Sequence, residues 1–219
     1  MTVCSEENEI KSRDMWIERP PEWFRNLFPG VIFRMPPGTG YPGKVFLTFD
    51  DGPIPEATPR VLQILDEFDV KATFFMVGQN VEKYPYLFRQ VVEKGHKAAN
   101  HSLHHIRGVG ISGLKYLEDV EGCEKYLHTR TYRPPHGWLT RHQLEAVKKD
   151  YKVVMYDLVT RDYSRKVSAA QIVDNVKKYT RDGSIIVFHD SLKSIDKLKT
   201  ALPQSLKWLR EQGYEFGLL

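Results

Sequence analysis

"VFLTFDDGPIP", residues 45–55, carries the reading of this chain. The run VFLTF has the length and the β-branched and aromatic content of a buried strand. It does not alternate with polar residues, as suits a strand covered on both faces. It then runs into two adjacent carboxylates, Asp50 and Asp51, followed by Gly52-Pro53. Neighbouring acids repel, and burying either is unfavourable unless positive charge faces it. An Asp-Gly-Pro turn accounts for Asp51 but not for an acid at the last strand position.

Outward from this stretch the same unit recurs. Strands are expected at 45–49, 72–77, 97–99, 131–133, 152–156, 184–188 and 214–218, with amphipathic helices between them. Thr58-Pro59 predicts a capping oxygen ahead of proline at the first helical position, with Val61, Leu62, Leu65 and Phe68 on one face. Thr140 with Gln143 and Ser168 with Gln171 have capping-box spacing. Gly95 and Gly213 are expected to stop helices, and Pro203 to split the last one. The βα alternation predicts an α/β fold with a largely parallel sheet, doubly wound or closed into a barrel. In either case the active site belongs at the C-terminal ends of the strands.

Polar, titratable groups gather there. Asp50-Asp51 follows the first strand, "NHSLHH" (100–105) the third, "RPPHG" (133–137) the fourth, "DLVTRDY" (157–163) the fifth, and "HD" (189–190) ends the sixth. His101 and His105 stand four apart, which on a helical turn puts both imidazoles on one side. With an acid from a neighbouring strand they make a His₂-Asp metal site with positions open to water. One carboxylate of the Asp50-Asp51 pair then serves as ligand and the other stays free beside it. His189 reads as a general acid, and Arg133 as a guanidinium that holds a carboxylate bidentately. Asp190 reads as a cap on the following segment, while His96 and His104 receive no role.

Composition narrows the classes. The 219 residues (25.5 kDa) suit one domain, and 41% hydrophobic with 27% charged residues suits a globular one. A net charge of +4 without a basic block argues against a nucleic-acid partner. Cys4 and Cys123 are too few for a thiolate zinc site, and Cys123 is expected as a small buried residue on a helix. No stretch has transmembrane length. The polar opening "MTVCSEENEIKSRD" has no apolar signal core, so the chain as written reads as cytoplasmic, with a periplasmic or extracellular setting still open. "WFRNLFPGVIFRMP" (23–36) suggests an N-terminal strap, residues 1–43, packing Trp23, Phe24, Leu27 and Phe28 against a domain at 44–219.

"TFDDGP" (48–53), "HSLHH" (101–105), "RPPHG", "TRDY" (160–163) and "VFHD" (187–190) together resemble the five motifs of NodB-type polysaccharide deacetylases, carbohydrate esterase family four, in the same order. The resemblance implies a distorted (β/α) barrel of about seven parallel strands and metal-dependent removal of N-acetyl, sometimes O-acetyl, groups from acetylated sugars or polysaccharides. It implies Asp50 as general base, Asp51, His101 and His105 as metal ligands, Arg133 as the residue orienting Asp50, and His189 as general acid. A backbone N–H in the loop of Pro135 and His136 would stabilise the oxyanion. The expected cofactor is one divalent transition metal, zinc first, with cobalt, nickel or manganese as alternatives.

Three positions depart from the family pattern. His136 stands for the usual Tyr, Ile106 for a common Pro, and Val159 for the first acid of the fourth motif, which is expected to tune the catalytic His. Asp157 and Asp162 are the candidates to replace that acid, Asp157 first because residues two apart on a strand share a side. Two other functions remain open at this stage: a related C–N hydrolase acting on a small amide, and a non-catalytic carbohydrate-binding domain. The sequence does not specify an oligomeric state.

Overall fold

The computed structural model describes residues 18–38 and 43–219; Cys4 and the whole polar stretch 1–14 lie outside these. The strands are β1 (Lys44–Asp50), β2 (Thr73–Met76), β3 (Lys97–Asn100), β4 (Thr131–Tyr132), β5 (Lys152–Val153), β6 (Leu158–Val159), β7 (Ile185–His189) and β8 (Glu215–Phe216). Seven follow the order β5-β4-β3-β2-β1-β7-β6, and β8 pairs with the start of β1. Every pairing is parallel. This is the expected distorted barrel, a curled half-barrel with β5 and β6 at its two edges.

Alternation along the strands sorts side chains between two environments. Val45, Leu47 and Phe49 face outward into the main core, where Phe49 stacks on Phe74 and Phe188 at centroid distances of 5.1 and 5.7 Å. The helices covering that face are α2 (Thr58–Glu67), α7 (Ala169–Tyr179) and α8 (Ile195–Glu211). Phe46 faces inward with Phe75, Ala99 and Ile185. The same parity sends Thr48, Asp50 and His189 inward. A second cluster joins α5 (Gly113–Gly122) and α6 (Arg141–Val147) to the outer face of β4 and β5.

Both predicted capping boxes are present, at Thr140–Gln143 and Ser168–Gln171. Gly95 and Gly213 adopt the left-handed conformation just past helix ends. Cys123 is buried in a 3₁₀ turn directly after α5. Thr58 does not cap α2: its Oγ1 accepts from Ile54 N–H (2.8 Å) and donates to Asp190 (2.6 Å). Pro203 does not split α8, which runs unbroken through it, because Leu198, Leu202, Leu206 and Leu209 keep one buried face. That packing outweighs the single ladder bond proline removes. The expected strand at 152–156 stops at Val153, and β6 was not anticipated. Among the described residues no helix is long and apolar enough to cross a membrane.

The strap stitches the barrel near its open seam. Ile32 N–H donates to Val153 O (3.0 Å), Met155 N–H to Ile32 O (2.8 Å), and Met35 N–H to Gly183 O (2.9 Å). Phe28 and Val31 pack on the α5–α6 cluster and Phe33 is buried. Of the four residues expected to pack, Trp23 and Leu27 instead stay exposed. Electrostatics fix the strap at Asp157, which is fully buried at the N-terminal end of β6. Arg25 Nη1 lies 2.6 Å from its carboxylate, Arg181 Nη2 and Nε at 2.9 and 3.1 Å, and Ser184 Oγ at 2.6 Å. Burial alone would raise this carboxyl's pKa, but Arg181, Ser184 and Arg25 together hold it below its ordinary value. Its contribution to stability is therefore present at neutral pH and lost on acidification. Asp157→Ala is expected to reduce the unfolding free energy by about 3 kcal/mol, near the low end for a broken buried pair because Arg181 reaches solvent. Urea denaturation measures this, and a loss below about 1 kcal/mol would show that the seam does not depend on Asp157.

Candidate active site

Asp50 ends β1 facing inward, in register with Phe75 on β2 and His189 on β7. Opposite it stands Arg133, also buried, at the end of β4, with Nη1 2.6 Å from Asp50 Oδ1. The contact is not bidentate as expected. Nη1 also reaches Thr48 Oγ1 (2.8 Å), Nη2 donates to Met155 O (3.0 Å) and Nε to Val154 O (3.3 Å). The guanidinium lies 3.9 Å from the Phe75 ring centroid. Among the described residues no group donates to Asp50 Oδ2. Thr48 was missed in the sequence, although it shares the inward parity of Asp50.

Asp51 turns away from β1 with φ +83, in the left-handed region. Its turn is held from three sides: Asn80 Nδ2 donates to Asp51 O (2.8 Å), Val77 N–H to Gly52 O (2.9 Å), and Gly52 N–H to Asp190 Oδ1 (3.1 Å). Only glycine fits at 52, because a Cβ there would overlap the Asp190 carboxyl. Asp190 thus braces the first motif rather than capping the segment after it. Burial pushes its pKa up to about 8, against the bond from Thr58.

His101 and His105 do converge, but not on a helical turn. The loop after β3 bends through Ser102 (φ +65) and His105 (φ +55). Asn100 Oδ1 accepts from Ser102 N–H (2.7 Å), and Ser102 Oγ from His105 N–H (3.0 Å). The Asp119 carboxylate on α5 takes His104 Nδ1 (2.6 Å) and His104 N–H (3.3 Å). Asn100 stands in the NHSLHH run without a role read from the sequence, and Asp119 was absent from that reading, since nothing in its spacing marks it.

The three ligand candidates suit a metal. Nitrogen and oxygen atoms of Asp51, His101 and His105 all lie within 4.8 Å of one another. Asp51 Oδ1 is 3.0 Å from His105 Nε2 and 3.7 Å from His101 Nε2. Tetrahedral ligands about 2.1 Å from zinc stand about 3.4 Å apart, between those values. His101 Nδ1 bonds Arg133 O at 2.8 Å, which turns Nε2 toward Asp51 and fixes the tautomer a ligand needs. Burial, helped by the nearby His105, lowers the His101 pKa to about 4 against the pull of both aspartates. Its imidazole is therefore neutral. Burial tends to raise the Asp51 pKa, but the bond with His105 and the charge of His189 bring it well below the usual range.

His189 Nδ1 lies 2.7 Å from Asp162 Oδ1, and its backbone N–H donates to Asp162 Oδ2 at 2.7 Å. Tyr163 meets the ring edge-on, with centroids 4.9 Å apart. Burial depresses the imidazolium, but the charge and hydrogen bond of Asp162, with the charges of Asp51 and Asp50, raise its pKa to about 9. Asp157 is not the group beside His189. It pairs with Ile185 in register, four residues down β7, about 13 Å along the strand. His136 (φ +60) packs its ring 4.6 Å from that of His105, and its N–H has no acceptor among the described residues. Pro135 beneath it is buried.

Five of the six non-glycine residues with positive φ among the described residues, Asp51, Ser102, His105, His136 and Arg161, lie in these loops. Strain so concentrated marks a functional rim.

Known proteins share this fold and sequence. Residues 38–154 match the polysaccharide deacetylase family. A peptidoglycan-N-acetylglucosamine deacetylase of Bacillus cereus is 32% identical over 180 residues, covering 78% of this chain and 84% of that protein. A chitooligosaccharide deacetylase of Sinorhizobium fredii is 37% identical over 161 residues, 70% and 74% of the two chains. A crystal structure of a peptidoglycan N-acetylglucosamine deacetylase superposes with a TM-score of 0.82 at 28% identity, covering 91% of this chain and 94% of that one. The chain belongs to the polysaccharide deacetylase family, and it is a hydrolase acting on carbon–nitrogen bonds other than peptide bonds.

The purified protein is expected to carry about one divalent transition metal per chain. Asp51→Asn and the double variant His101→Ala, His105→Ala should lose it, whereas Asp50→Asn should keep it. Elemental analysis showing equal metal in all four proteins would remove Asp51, His101 and His105 as ligands.

Proposed function

We propose that this enzyme removes N-acetyl groups from an N-acetylglucosamine-containing glycan, releasing acetate and a free amino sugar. The observation that carries this reading is the convergence of a buried Arg-held carboxylate, an Asp-His-His cluster and an Asp-held histidine on one rim of the barrel. The named activities of the Bacillus cereus and Sinorhizobium fredii relatives support the substrate class. The same chemistry also suits O-acetyl groups.

A divalent metal, zinc first among the candidates, held by Asp51, His101 and His105 supplies Lewis acidity toward the acetyl carbonyl and the attacking water. Asp50, oriented through Oδ1 by Arg133, takes a proton from that water through Oδ2 as it attacks. The His136 N–H donates to the carbonyl oxygen as negative charge develops on it. His189, with Nδ1 anchored on Asp162, points Nε2 outward and gives its proton to the leaving nitrogen.

Acetate release is the test, with N-acetylglucosamine oligomers compared against a small non-carbohydrate N-acetyl amide. Preference for the oligomers is expected; turnover of the small amide alone would favour the related C–N hydrolase, and no turnover by metal-loaded protein a non-catalytic binding domain. Asp50→Asn is expected to slow acetate release by about 10²- to 10⁴-fold with metal retained.

The pH profile tests the acid. His189 is active while protonated, so a pKa raised to about 9 keeps it competent at neutral pH and places the loss of activity on the alkaline side. A bound cation offsets the charge of Asp51 and draws that limb lower. Asp162→Asn removes the largest attraction and should move the basic limb down by at least about one unit, with metal unchanged. A basic limb that stays in place would show that Asp162 does not hold the proton on His189.

A further inference from the structure

At the opposite end of the barrel from the catalytic rim, the strap and the entry to β7 border an open groove of about 610 Å³. Its lining includes Arg25, Arg34, Arg181, Phe28, Phe33 and Glu22. Arg25 and Arg181 share the single buried carboxylate of Asp157, with Arg19 Nε also within 4.0 Å of it. Arg34 differs from them. Its backbone bridges Ser184, its side chain is half-buried, and its guanidinium makes no ion pair or hydrogen bond among the described residues.

Three guanidiniums therefore gather around the one carboxylate of Asp157, Arg34 stands on the same groove, and Glu22 is the acid in its lining. Their mutual repulsion is felt at Arg19, where burial and then the charges of Arg181, Arg25 and Arg34 lower the pKa against the pull of Asp157. A half-buried arginine has five fixed N–H donors, and leaving them without acceptors is unfavourable. A planar fork and a surplus of positive charge are the complement of a phosphoryl group. The volume is larger than one phosphate needs and lies in the range of small-ligand pockets. Phe28 and Phe33 supply the apolar wall that the carbon skeleton of a sugar-sized ligand would meet.

We propose that this groove binds a phosphoryl group carried on a sugar-sized ligand, with Arg34 as its principal fork and Arg181 beside it. Binding joins the strap, which brings Arg34 and the phenylalanines, to the barrel, which brings Arg181. The ligand therefore stabilises the fold by mass action. Glu22 at the rim disfavours further negative charge on the ligand.

The test uses the metal-loaded full chain at constant ionic strength, following melting temperature and calorimetric binding. The probes are inorganic phosphate, a hexose monophosphate, the unphosphorylated hexose and a hexuronic acid. The hexose monophosphate is expected to raise the melting temperature and to bind more tightly than phosphate, with the plain hexose silent. In Arg34→Gln the binding should weaken by about tenfold or more while acetate release is unchanged, since Arg34 takes no part in the catalytic rim. Arg34→Lys, which keeps the charge but loses the fork, should fall between. Stronger binding of inorganic phosphate than of the hexose phosphate would overturn the sugar component. An equal response to the hexuronic acid would overturn the phosphoryl assignment. Equal stabilisation of wild type and Arg34→Gln would reduce the effect to nonspecific ion binding and sink the site.

Discussion

The buried contact between Arg133 and Asp50 is the constraint on which the rest of the active rim depends. A guanidinium taken out of water inside a barrel needs acceptors for its donors, and Arg133 finds four, from two parts of the fold. Two are backbone carbonyls just past β5, one is the hydroxyl of Thr48, and one is the carboxylate itself. Meeting all of them fixes the distance from β1 to β4, which carries Arg133, and to the edge strand β5. The same residue's carbonyl accepts from His101, so one arginine sets both the base and the tautomer of a ligand. Buried ion pairs rarely add net stability over an apolar replacement. This one is better understood as geometry held for chemistry, with one carboxylate oxygen occupied and the other left to act.

The rim is built from strained loops on rigid strand ends. Asp51, Ser102 and His105 sit in the left-handed region, which is disfavoured for residues with a Cβ. Each is compensated by dedicated side chains: Asn80 and Asp190 around the first loop, Asn100 and Asp119 around the second. A helix would have placed two histidines four apart at the same spacing with no strain. The loop gains something a helix lacks, because it brings the imidazoles against Asp51 on another strand while leaving their remaining side open.

Much of this was legible in the sequence because strand parity is strict. VFLTFD and IIVFH each place a titratable residue at the inward end of an otherwise apolar run, and the register of β1 with β7 sets Asp50 beside His189. The motif order gave the ligand set. What escaped were elements too short for periodicity, β4, β5 and β6, each of two residues. Missing β6 had a consequence: sharing a side with Val159 was taken as nearness to His189, although two residues along a strand span about 7 Å. Asp157 and Val159 point inward below the rim. The chain then turns at Arg161 (φ +59) and returns Asp162 beneath the histidine. Side-chain partners such as Asp119 and Asp190 were illegible for a different reason, since a lone acid on a helix or after a strand carries no pattern.

Val159 then ceases to be a gap in the site. Its register partner is Val187, and both are buried, so an acid there would lie a full inward step below His189 and take its charge into an apolar layer. Asp162 avoids that penalty by making two short bonds to one residue, the ring Nδ1 and the backbone N–H of His189. The backbone bond fixes where the carboxylate sits regardless of protonation, and the ring bond favours the charged imidazolium. Burial works against that charge, and the acids of the rim outweigh it. Burial therefore keeps His101 neutral for ligation, whereas at His189 the neighbouring acids keep the ring protonated for donation in spite of it. The two histidines differ in what their Nδ1 meets, a carbonyl in one case and a carboxylate in the other.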